Sequence, residues 1–382
     1  MSAVMLHRTV PESSQATYSP FTTVDFLIDA RGRKLMKNSI RVEGTINATK
    51  DGTANVDFDS NVKVDNCVGA HAFFDSWTCE TEQKGVQETL MNYPRAVAMQ
   101  ARSTLSQDDM LDSALLAECR GPAEINGNYV LQPVADNSFA SAGGSTFIAT
   151  DNVQPTFSLK PMIMWNRSGG GEYSFDKNGW IRISCILAPN VAAMFGGAGT
   201  QSYTLSDLAC RFQTVPDDGI VAPMLMKSYV NVVSSVQSTA TSISARVPSQ
   251  SVNGVAISFV DQATTRSALL NSYALETLQL FSGIEFLFSN TAQNFLTYTV
   301  NDQSEAIAMG LAALDHDGHS RVSSKTLKAN QGYLLGINFG EYVDLSVQKF
   351  TVNLSSDYAL ITGNPMDCHL YFQTLILSLI HI

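Results

Sequence analysis

The sequence feature that most constrains the fold is a faint internal repeat. Residues 73–99 align without a gap onto residues 283–309 when the sequence is shifted by 210 positions. The identical pairs include Thr89/Thr299, Ala96/Ala306, Ala98/Ala308 and Met99/Met309. A repeated segment predicts that each copy occupies a similar place in a similar unit, so the repeat bears on the fold of the whole chain.

A second pair of similar segments follows in the same order. Residues 210–215 read Cys-Arg-Phe-Gln-Thr-Val, and residues 368–375 read Cys-His-Leu-Tyr-Phe-Gln-Thr-Leu. The two pairs together predict two related units in tandem. A length of 382 residues is enough for two domains of ordinary size.

Short segments of alternating apolar and polar residues dominate both halves, and this period is typical of half-buried strands. Pro94 follows two such segments and predicts a short helix, because proline is favoured in the first helical turn. Asn178-Gly179 predicts a two-residue hairpin turn within residues 173–187. The pattern therefore predicts an all-β protein with a few short helices, built from two tandem β-sandwiches.

Turn-forming residues and changes of composition predict the domain boundaries. Residues 1–20 are mixed and polar without a period, which predicts a flexible N-terminal arm. The turn-rich residues 216–219 predict a boundary between a first unit, residues 21–220, and a second unit, residues 221–382. The first unit carries about fifty more residues before its closing strand, mainly in Gly- and Asn-rich loops within residues 121–172. Loops of such length predict surface projections.

The composition excludes several classes of protein. The chain is 45% hydrophobic but only 15% charged, against about 25% charged in an ordinary globular domain. This balance argues against disorder and indicates a surface covered by neighbours or by neutral polar residues. The net charge of −11 argues against a protein that wraps nucleic acid. No apolar run reaches the roughly 18 residues of a membrane span, so we expect a soluble chain.

The cysteines lie far apart and lack the Cys-x-x-Cys spacing of a metal or redox site. We expect mostly free, buried thiols made in a reducing compartment. The six positions are Cys67, Cys79, Cys119, Cys185, Cys210 and Cys368.

No catalytic motif or cofactor-binding motif stands out, so we expect neither catalysis nor a cofactor. The densest polar cluster contains Asp315, Asp317 and His319, which are weak candidates for metal ligands. The cluster lacks the register of a calcium loop, because the twelfth residue counted from Asp315 is Thr326 rather than a glutamate. We favour a polar surface turn.

One basic cluster has a plausible anionic partner. Its members are Arg31, Arg33, Lys34, Lys37 and Arg41. The cluster could face a membrane or other phosphates, since each cation near an anionic surface contributes roughly 1 kcal/mol. A solvated loop, or pairing with acids of a neighbouring subunit, is the simpler interpretation, and we favour it.

The layout resembles a double jelly-roll major capsid protein, the family of tailless, often membrane-containing phages and adenovirus-like viruses. The segments that carry the resemblance are His71–Phe74 through Thr81-Glu82 to the Tyr93-Pro94-Arg95 helix, Tyr203–Leu208 leading into Phe212–Thr214, and Phe372–Thr374. The resemblance implies two tandem eight-stranded jelly-roll β-sandwiches. It also implies trimeric, pseudo-hexagonal capsomers in an icosahedral shell and no catalytic residue.

The resemblance further implies where the chain acts and what it meets. Residues 121–172 would form a tower or its base on the outer surface, and residues 1–20 would reach neighbours or an underlying membrane. The partners implied are the chain itself in a homotrimer, neighbouring capsomers, minor capsid or vertex proteins and an internal viral membrane, with no specific nucleic acid. The location implied is the virion, after synthesis in the host cytoplasm.

Three other interpretations remain open on the sequence. A carbohydrate- or receptor-binding β-sandwich would show an aromatic platform or a calcium site at a loop end. A cupin-like enzyme would cluster His and carboxylate ligands inside a roll, whereas the histidines here are dispersed. A spike or vertex protein of the same virion would normally hold a single roll.

Overall fold

The described part of the chain covers most of both halves. The computed structural model describes residues 3–50, 53–54, 62–65, 68–104, 117–118, 123–125, 128–130, 156–196, 200–220, 224–236, 242–249, 251–262, 273, 284–289, 294–300, 303–314, 335–354 and 365–378.

Strands dominate these residues. The strands are β1 (Met5–Thr9), β2 (Thr23–Ile28), β3 (Arg33–Leu35), β4 (Arg41–Lys50), β5 (Thr53–Ala54), β6 (Val62–Lys63), β7 (Phe74–Thr81), β8 (Gly85–Leu90), β9 (Ala123–Ile125), β10 (Asn128–Val130), β11 (Thr156–Leu159), β12 (Ser168–Gly170), β13 (Tyr173–Ser174), β14 (Ile181–Leu187), β15 (Phe195–Gly196), β16 (Gln201–Pro216), β17 (Met224–Val236), β18 (Ser242–Ala245), β19 (Val252–Asp261), β20 (Ile284–Ser289), β21 (Asn294–Val300), β22 (Leu335–Val343), β23 (Lys349–Asn353) and β24 (Met366–Ser378). The helices are α1 (Tyr93–Thr104), α2 (Phe175–Asn178), α3 (Asn190–Ala193) and α4 (Gln303–Leu314), with 3-10 helices at Gly69–Phe73 and Met164–Asn166.

The first half forms a complete jelly roll. One sheet has the antiparallel order β1-β16-β4-β11, and the other has the order β2-β14-β7-β8. If the eight strands are lettered B to I in chain order, these sheets are B-I-D-G and C-H-E-F. This is the arrangement of a jelly roll.

The second half repeats this arrangement. Its sheets have the orders β17-β24-β19-β22 and β18-β23-β20-β21, again B-I-D-G and C-H-E-F. The predicted fold class, all-β with two tandem eight-stranded jelly rolls and a few short helices, is confirmed.

The sequence repeat coincides with a structural repeat. Strand β7 begins at Phe74 and β20 at Ile284, and helix α1 begins at Tyr93 and α4 at Gln303, so both pairs differ by 210 positions. In each copy two antiparallel strands lead directly into a helix of 12 residues. Ala96 and Ala306 are 6% and 0% exposed in equivalent helices.

Each roll has an apolar core of its own. The first core draws on both sheets of the first roll, with Trp77 and Trp165 among its largest buried side chains. The second core gathers residues between 236 and 372, including Phe286, Phe350 and Phe372. The four cysteines within the described residues are buried free thiols, and burial raises the pKa of the Cys185 thiol.

The N-terminal segment lies on the first roll instead of forming a flexible arm. Strand β1 is strand B of that roll and pairs with β16 from Met5↔Thr214 to Thr9↔Cys210. His7 stacks on Phe212 with ring centroids 4.9 Å apart, and Tyr18 is 2% exposed. This strand has only five residues, which is too short for the alternation of apolar and polar residues to indicate it.

The predicted hairpin at Asn178-Gly179 is wrong. Residues 175–178 form helix α2, because the Ser174 side chain accepts a hydrogen bond from the Lys177 backbone N–H and caps the turn. Gly179 ends the helix with φ +78°. The flanking strands diverge, since β13 pairs with β3 while β14 pairs with β2 and β7.

The described end of the 121–172 segment is not a surface projection. Strand β11 is strand G of the first roll, and residues 161–166 are buried. The apolar run Met162–Trp165 fills the core, which explains the difference. Residues 131–155 lie outside the described residues. The boundary between residues 220 and 221 lies between β16 and β17 and stays a prediction.

Candidate functional site

A buried polar seam joins the two rolls. We define the seam as Glu88, Asn92, Arg95 and Arg167 of the first roll with Ser228, Asn231, Ser258 and Tyr371 of the second.

The seam forms because the centre of the second B-I-D-G sheet is covered on both faces. All residues of β19 from Gly254 to Asp261 are buried. Alternate residues belong to different cores: Ile257 to the second core and Ala256 to the first. A strand buried on both faces reads as a nearly continuous apolar run, and Val-Ala-Ile-Ser-Phe-Val at 255–260 fits that description.

Helix α1 attaches the first roll to this sheet by polar contacts at its N-terminus. The Asn92 side-chain amide donates to Asn231 Oδ1 at 2.7 Å, and the Tyr371 hydroxyl donates to the Asn92 carbonyl at 2.8 Å. Arg95 is 4% exposed and donates to Ser258 Oγ at 3.4 Å. These contacts fix the helix on three strands of the second roll.

Glu88 is the centre of a second polar group. Its carboxylate accepts hydrogen bonds from Arg167 Nη2, Ser228 Oγ and the Met164 backbone N–H, each at 2.7 Å. The side chains of Glu88 and Arg167 are 0% and 6% exposed, so this is a buried ion pair. The Arg167 guanidinium also lies 4.5 Å from the Tyr229 ring centroid, a cation–π contact.

A buried histidine lies next to the seam. His369 is 6% exposed, and its ring stacks on Tyr371 with centroids 6.3 Å apart. Burial first, and then the positive charge of Arg95, lower the pKa of His369 to about 3. The ring is therefore neutral at neutral pH, and protonation would place a second cation beside Arg95.

The Tyr371 hydroxyl offers a direct test of the seam. Replacing Tyr371 with Phe should lower the free energy of unfolding by about 1 kcal/mol, because the hydroxyl of this buried tyrosine loses its hydrogen bond to the Asn92 carbonyl. Urea denaturation measures the change. Tyr298→Phe is the matched control, because Tyr298 donates to Glu305 at a similar 2.9 Å but is 40% exposed. Equal losses in the two variants would contradict a contribution from the seam.

The cations of the predicted basic cluster do not act together, because most of them bind different acceptors within the chain itself. Arg31 pairs with Asp29 and Glu82, each at 3.2 Å. Lys34 is buried between Asp217 and Asp218. Burial alone would lower the pKa of Lys34, but its hydrogen bond and charge pairing with these carboxylates raise it.

Two of the other three cations of the cluster also donate hydrogen bonds within the chain. Arg33 donates to the Ala3 carbonyl at 2.8 Å, and Arg41 donates to Ser158 Oγ at 3.0 Å. Lys37 is exposed. A membrane-facing or phosphate-facing role for the cluster stays a prediction.

The weak metal candidates Asp315, Asp317 and His319 lie outside the described residues. Among the residues that are described, no group of three or more His, Cys, Asp or Glu side chains is arranged to hold a metal ion. Nor is any helix in the described ranges long and apolar enough to cross a membrane.

The seam residues were not indicated by the sequence analysis. The available signal was a charged residue at a position whose neighbours predict burial: Glu88 lies in a strand beside Leu90, and Arg95 lies in a helix of alanines and valine. Such positions need a buried partner, but the partners are 140 and 163 residues away.

Two complete jelly rolls in one chain define the class as a double jelly-roll protein. No family model matches the sequence, and no curated protein matches it either. Solved structures of viral capsid proteins do match. The chain is similar to one in the 3.5 Å cryo-EM structure of the Sputnik virophage, with a TM-score of 0.61, 9% identity, and coverage of 98% of this chain and 88% of that one.

Two further solved structures show the same similarity. The Faustovirus major capsid protein gives a TM-score of 0.59 at 8% identity, covering 99% of this chain and 90% of that chain. The mavirus major capsid protein gives a TM-score of 0.52 at 9% identity, covering 97% of this chain and 86% of that chain. The chain therefore has the fold of double jelly-roll major capsid proteins.

Proposed function

We propose that this chain is the major capsid protein of an icosahedral virus and that three copies form a pseudo-hexagonal capsomer. The observation that carries the proposal is the presence of two complete rolls with one strand order in a single chain. Three such chains supply six similar rolls. The similar solved structures from Faustovirus and mavirus are major capsid proteins by description, which supports the same role here.

The seam supports this role because a capsomer requires the two rolls to be held in one orientation. Its hydrogen bonds and buried ion pair restrain the rolls at two separate places, helix α1 and Glu88. A rigid two-roll block can present the same surfaces to each neighbour in a shell.

The outer face of the first B-I-D-G sheet suits contact between copies. Hydroxyl and amide side chains cover the half of this face around Asn47, and some satisfy each other: Asn47 donates to Ser206 Oγ at 3.2 Å, and Thr49 pairs with Ser202. Neutral groups cost less to remove from water than charges do, and interface centres are depleted in charge. The low charged fraction of the chain, 15%, fits extensive burial between subunits.

The proposed partners are those that the resemblance to double jelly-roll capsid proteins implies. The chain would contact itself, neighbouring capsomers and minor capsid or vertex proteins, and it would reside in the virion after synthesis in the host cytoplasm. Lys37, the exposed member of the basic cluster, is proposed to lie in a solvated loop or against acids of a neighbouring subunit. The net charge of −11 fits a shell protein that does not bind the viral genome directly.

The second roll favours this role over a spike or vertex protein, which would normally hold one roll. A structural role, rather than catalysis, is proposed for the whole chain. The receptor-binding alternative gains no specific support from the described residues.

The oligomeric state tests the proposed function. Purified full-length protein should sediment as a trimer at micromolar concentration, because a stable assembly of this kind buries more than about 2,000 Å² per interface. Negative-stain images should show pseudo-hexagonal particles. A chain that stays monomeric at high concentration in sedimentation velocity would refute the proposal.

A further inference from the structure

An aromatic residue holds an unusual backbone conformation on the surface of the first roll. Residues 19–22 form a turn in which the Thr22 backbone N–H donates to the Ser19 carbonyl at 3.2 Å. Phe21 is the third residue of the turn and has φ +66°. Pro20 precedes it, so the turn has the pattern of type II, which favours Gly or Asn at the third position.

Phe21 is unlike the other residues with this conformation. The remaining non-glycine residues with positive φ among the described residues are Asn38, Asn92 and Asp207. Asn and Asp tolerate the left-handed region because their short side chains bond locally. A bulky residue there is strained, so the sequence retains Phe at a position where Gly would be easier to accommodate.

The local fold gives no reason for this choice, because the Phe21 ring faces solvent. The side chain is 71% exposed. The turn itself is held by the backbone: the Phe21 N–H donates to the Leu187 carbonyl and the Leu187 N–H donates to the Thr22 carbonyl, each at 3.0 Å. Ile186 precedes Leu187 and is itself 39% exposed, so two exposed apolar residues, which we call the projection, lie at this end of the β2-β14 pair.

The surroundings of the projection indicate what it contacts. Asp25 lies on β2, four positions after Phe21, and its carbonyl accepts a hydrogen bond from the Glu12 backbone N–H. The cation in the strands of this sheet, Arg182, is already paired with Glu12 at 3.1 Å and Glu80 at 3.4 Å. These strands therefore offer no unpaired cation to an anionic lipid surface or a nucleic acid. A protein surface with few charges does not require one.

We infer that Phe21 is an assembly anchor that inserts into the surface of a second copy of this chain. The inference rests on the proposed function, since it requires self-association, and it deepens that function by naming a residue. Exposed aromatic side chains are the usual anchors of protein interfaces, because one ring buries a large area at a small entropic cost. The strain at Phe21 is the cost of projecting the ring from a tight turn.

The test uses the full-length chain with Gly in place of Phe21. Gly removes the ring and is compatible with φ +66°, so the midpoint of thermal unfolding, measured at a concentration where all variants are monomeric, should be unchanged or higher by about 2 °C. Dissociation of the oligomer, measured by sedimentation velocity over a dilution series, should become at least about tenfold easier. Phe21→Asn should behave in the same way, because Asn also tolerates the turn.

Val347→Ser is the matched control, because Val347 is an exposed apolar residue, 61% exposed, in another turn. Its oligomer should dissociate as the wild type does; a loss equal to that of Phe21→Gly would overturn the inference. A wild-type chain that oligomerises together with a Phe21→Gly variant that oligomerises equally well would also overturn it, while leaving the proposed function intact. A monomeric wild type would refute the proposed function and the inference with it.

Flotation with phosphatidylcholine vesicles, with and without phosphatidylglycerol, tests whether Phe21 inserts into a membrane instead of a second copy of the chain. We expect no Phe21-dependent binding. If the wild type floats and Phe21→Gly does not, while both have the same oligomeric state, the occupant is a membrane and the inference is wrong.

Discussion

Replacing Glu88 with Ala should lower the free energy of unfolding by about 3 to 5 kcal/mol. The substitution leaves the Arg167 charge buried without its partner, and this desolvated cation accounts for most of the loss. The Ser228 hydroxyl and the Met164 N–H lose the same acceptor. The midpoint of urea unfolding, followed by tryptophan fluorescence, measures the effect.

The chain contains a matched ion pair on its surface. Arg211 and Glu43 lie 2.7 Å apart, the same distance as Arg167 and Glu88, but their side chains are 44% and 20% exposed. Replacing Glu43 with Ala should cost no more than about 1 kcal/mol, because water screens and solvates the remaining cation. Similar losses for the two substitutions would show that Glu88 is not part of a buried pair.

A double substitution separates the charge from the packing. Replacing both Glu88 and Arg167 with Met removes the buried charges and retains apolar volume. We expect this variant to recover much of the stability lost in Glu88→Ala, because a buried ion pair is often no more stabilising than apolar residues of similar size. If the double variant is as unstable as the single one, the loss comes from packing and not from the unpaired charge.

Acid should weaken the chain through His369. The folded-state pKa is about 3 and an unfolded histidine has a pKa near 6.5, so between these values the unfolded state binds a proton that the folded state does not. Stability from this residue is complete above pH 6.5 and falls by about 1.4 kcal/mol per pH unit below it. At pH 4.5 the loss should reach about 2 to 3 kcal/mol.

Replacing His369 with Gln isolates this contribution, because carboxylates titrate in the same range in both proteins. The difference in unfolding free energy between the wild type and the variant should change by about 2 to 3 kcal/mol between pH 7 and pH 4.5. A difference that stays constant over that range would mean that the ring is protonated as easily in the folded chain as in the unfolded one.

The fold could be predicted from the sequence because its signal is local. Strand alternation and the shift of 210 positions locate the β7-β8-α1 and β20-β21-α4 segments without any knowledge of contacts. The strands that were missed are short or atypical. Strand β1 has five residues, and its stability comes from a neighbour more than 200 residues away.

The seam could not be predicted, because its signal is distant in the chain. Glu88 and Arg95 are recognisable as charges in apolar surroundings, yet nothing local identifies Ser228 or Ser258 as their partners. The basic cluster shows the opposite case, in which residues close in the sequence do not share a partner in the fold. Arg31 and Lys34 are only three positions apart in the sequence, but folding gives each a different carboxylate partner.

The hairpin prediction failed because two local signals competed. Asn178-Gly179 favours a tight turn between strands, while Ser174 favours a helix N-cap three residues before Lys177. Local hydrogen bonds favour the helix: Ser174 Oγ accepts from the Lys177 backbone N–H, and the Asn178 side-chain amide donates to the Ser174 carbonyl at 3.0 Å.

Strand β12 of the first roll pairs with β17, at the outer edge of the second roll's B-I-D-G sheet. Without β12, this part of the edge would expose unpaired backbone N–H and C=O groups that a strand of another chain could bind. During synthesis residues 168–170 leave the ribosome before β17 does, so the covering strand is already present when the second sheet forms. Backbone hydrogen bonds do not depend on side-chain identity. The placement of one roll against the other is therefore partly independent of the residues at this edge, and sequence can drift there while the geometry persists.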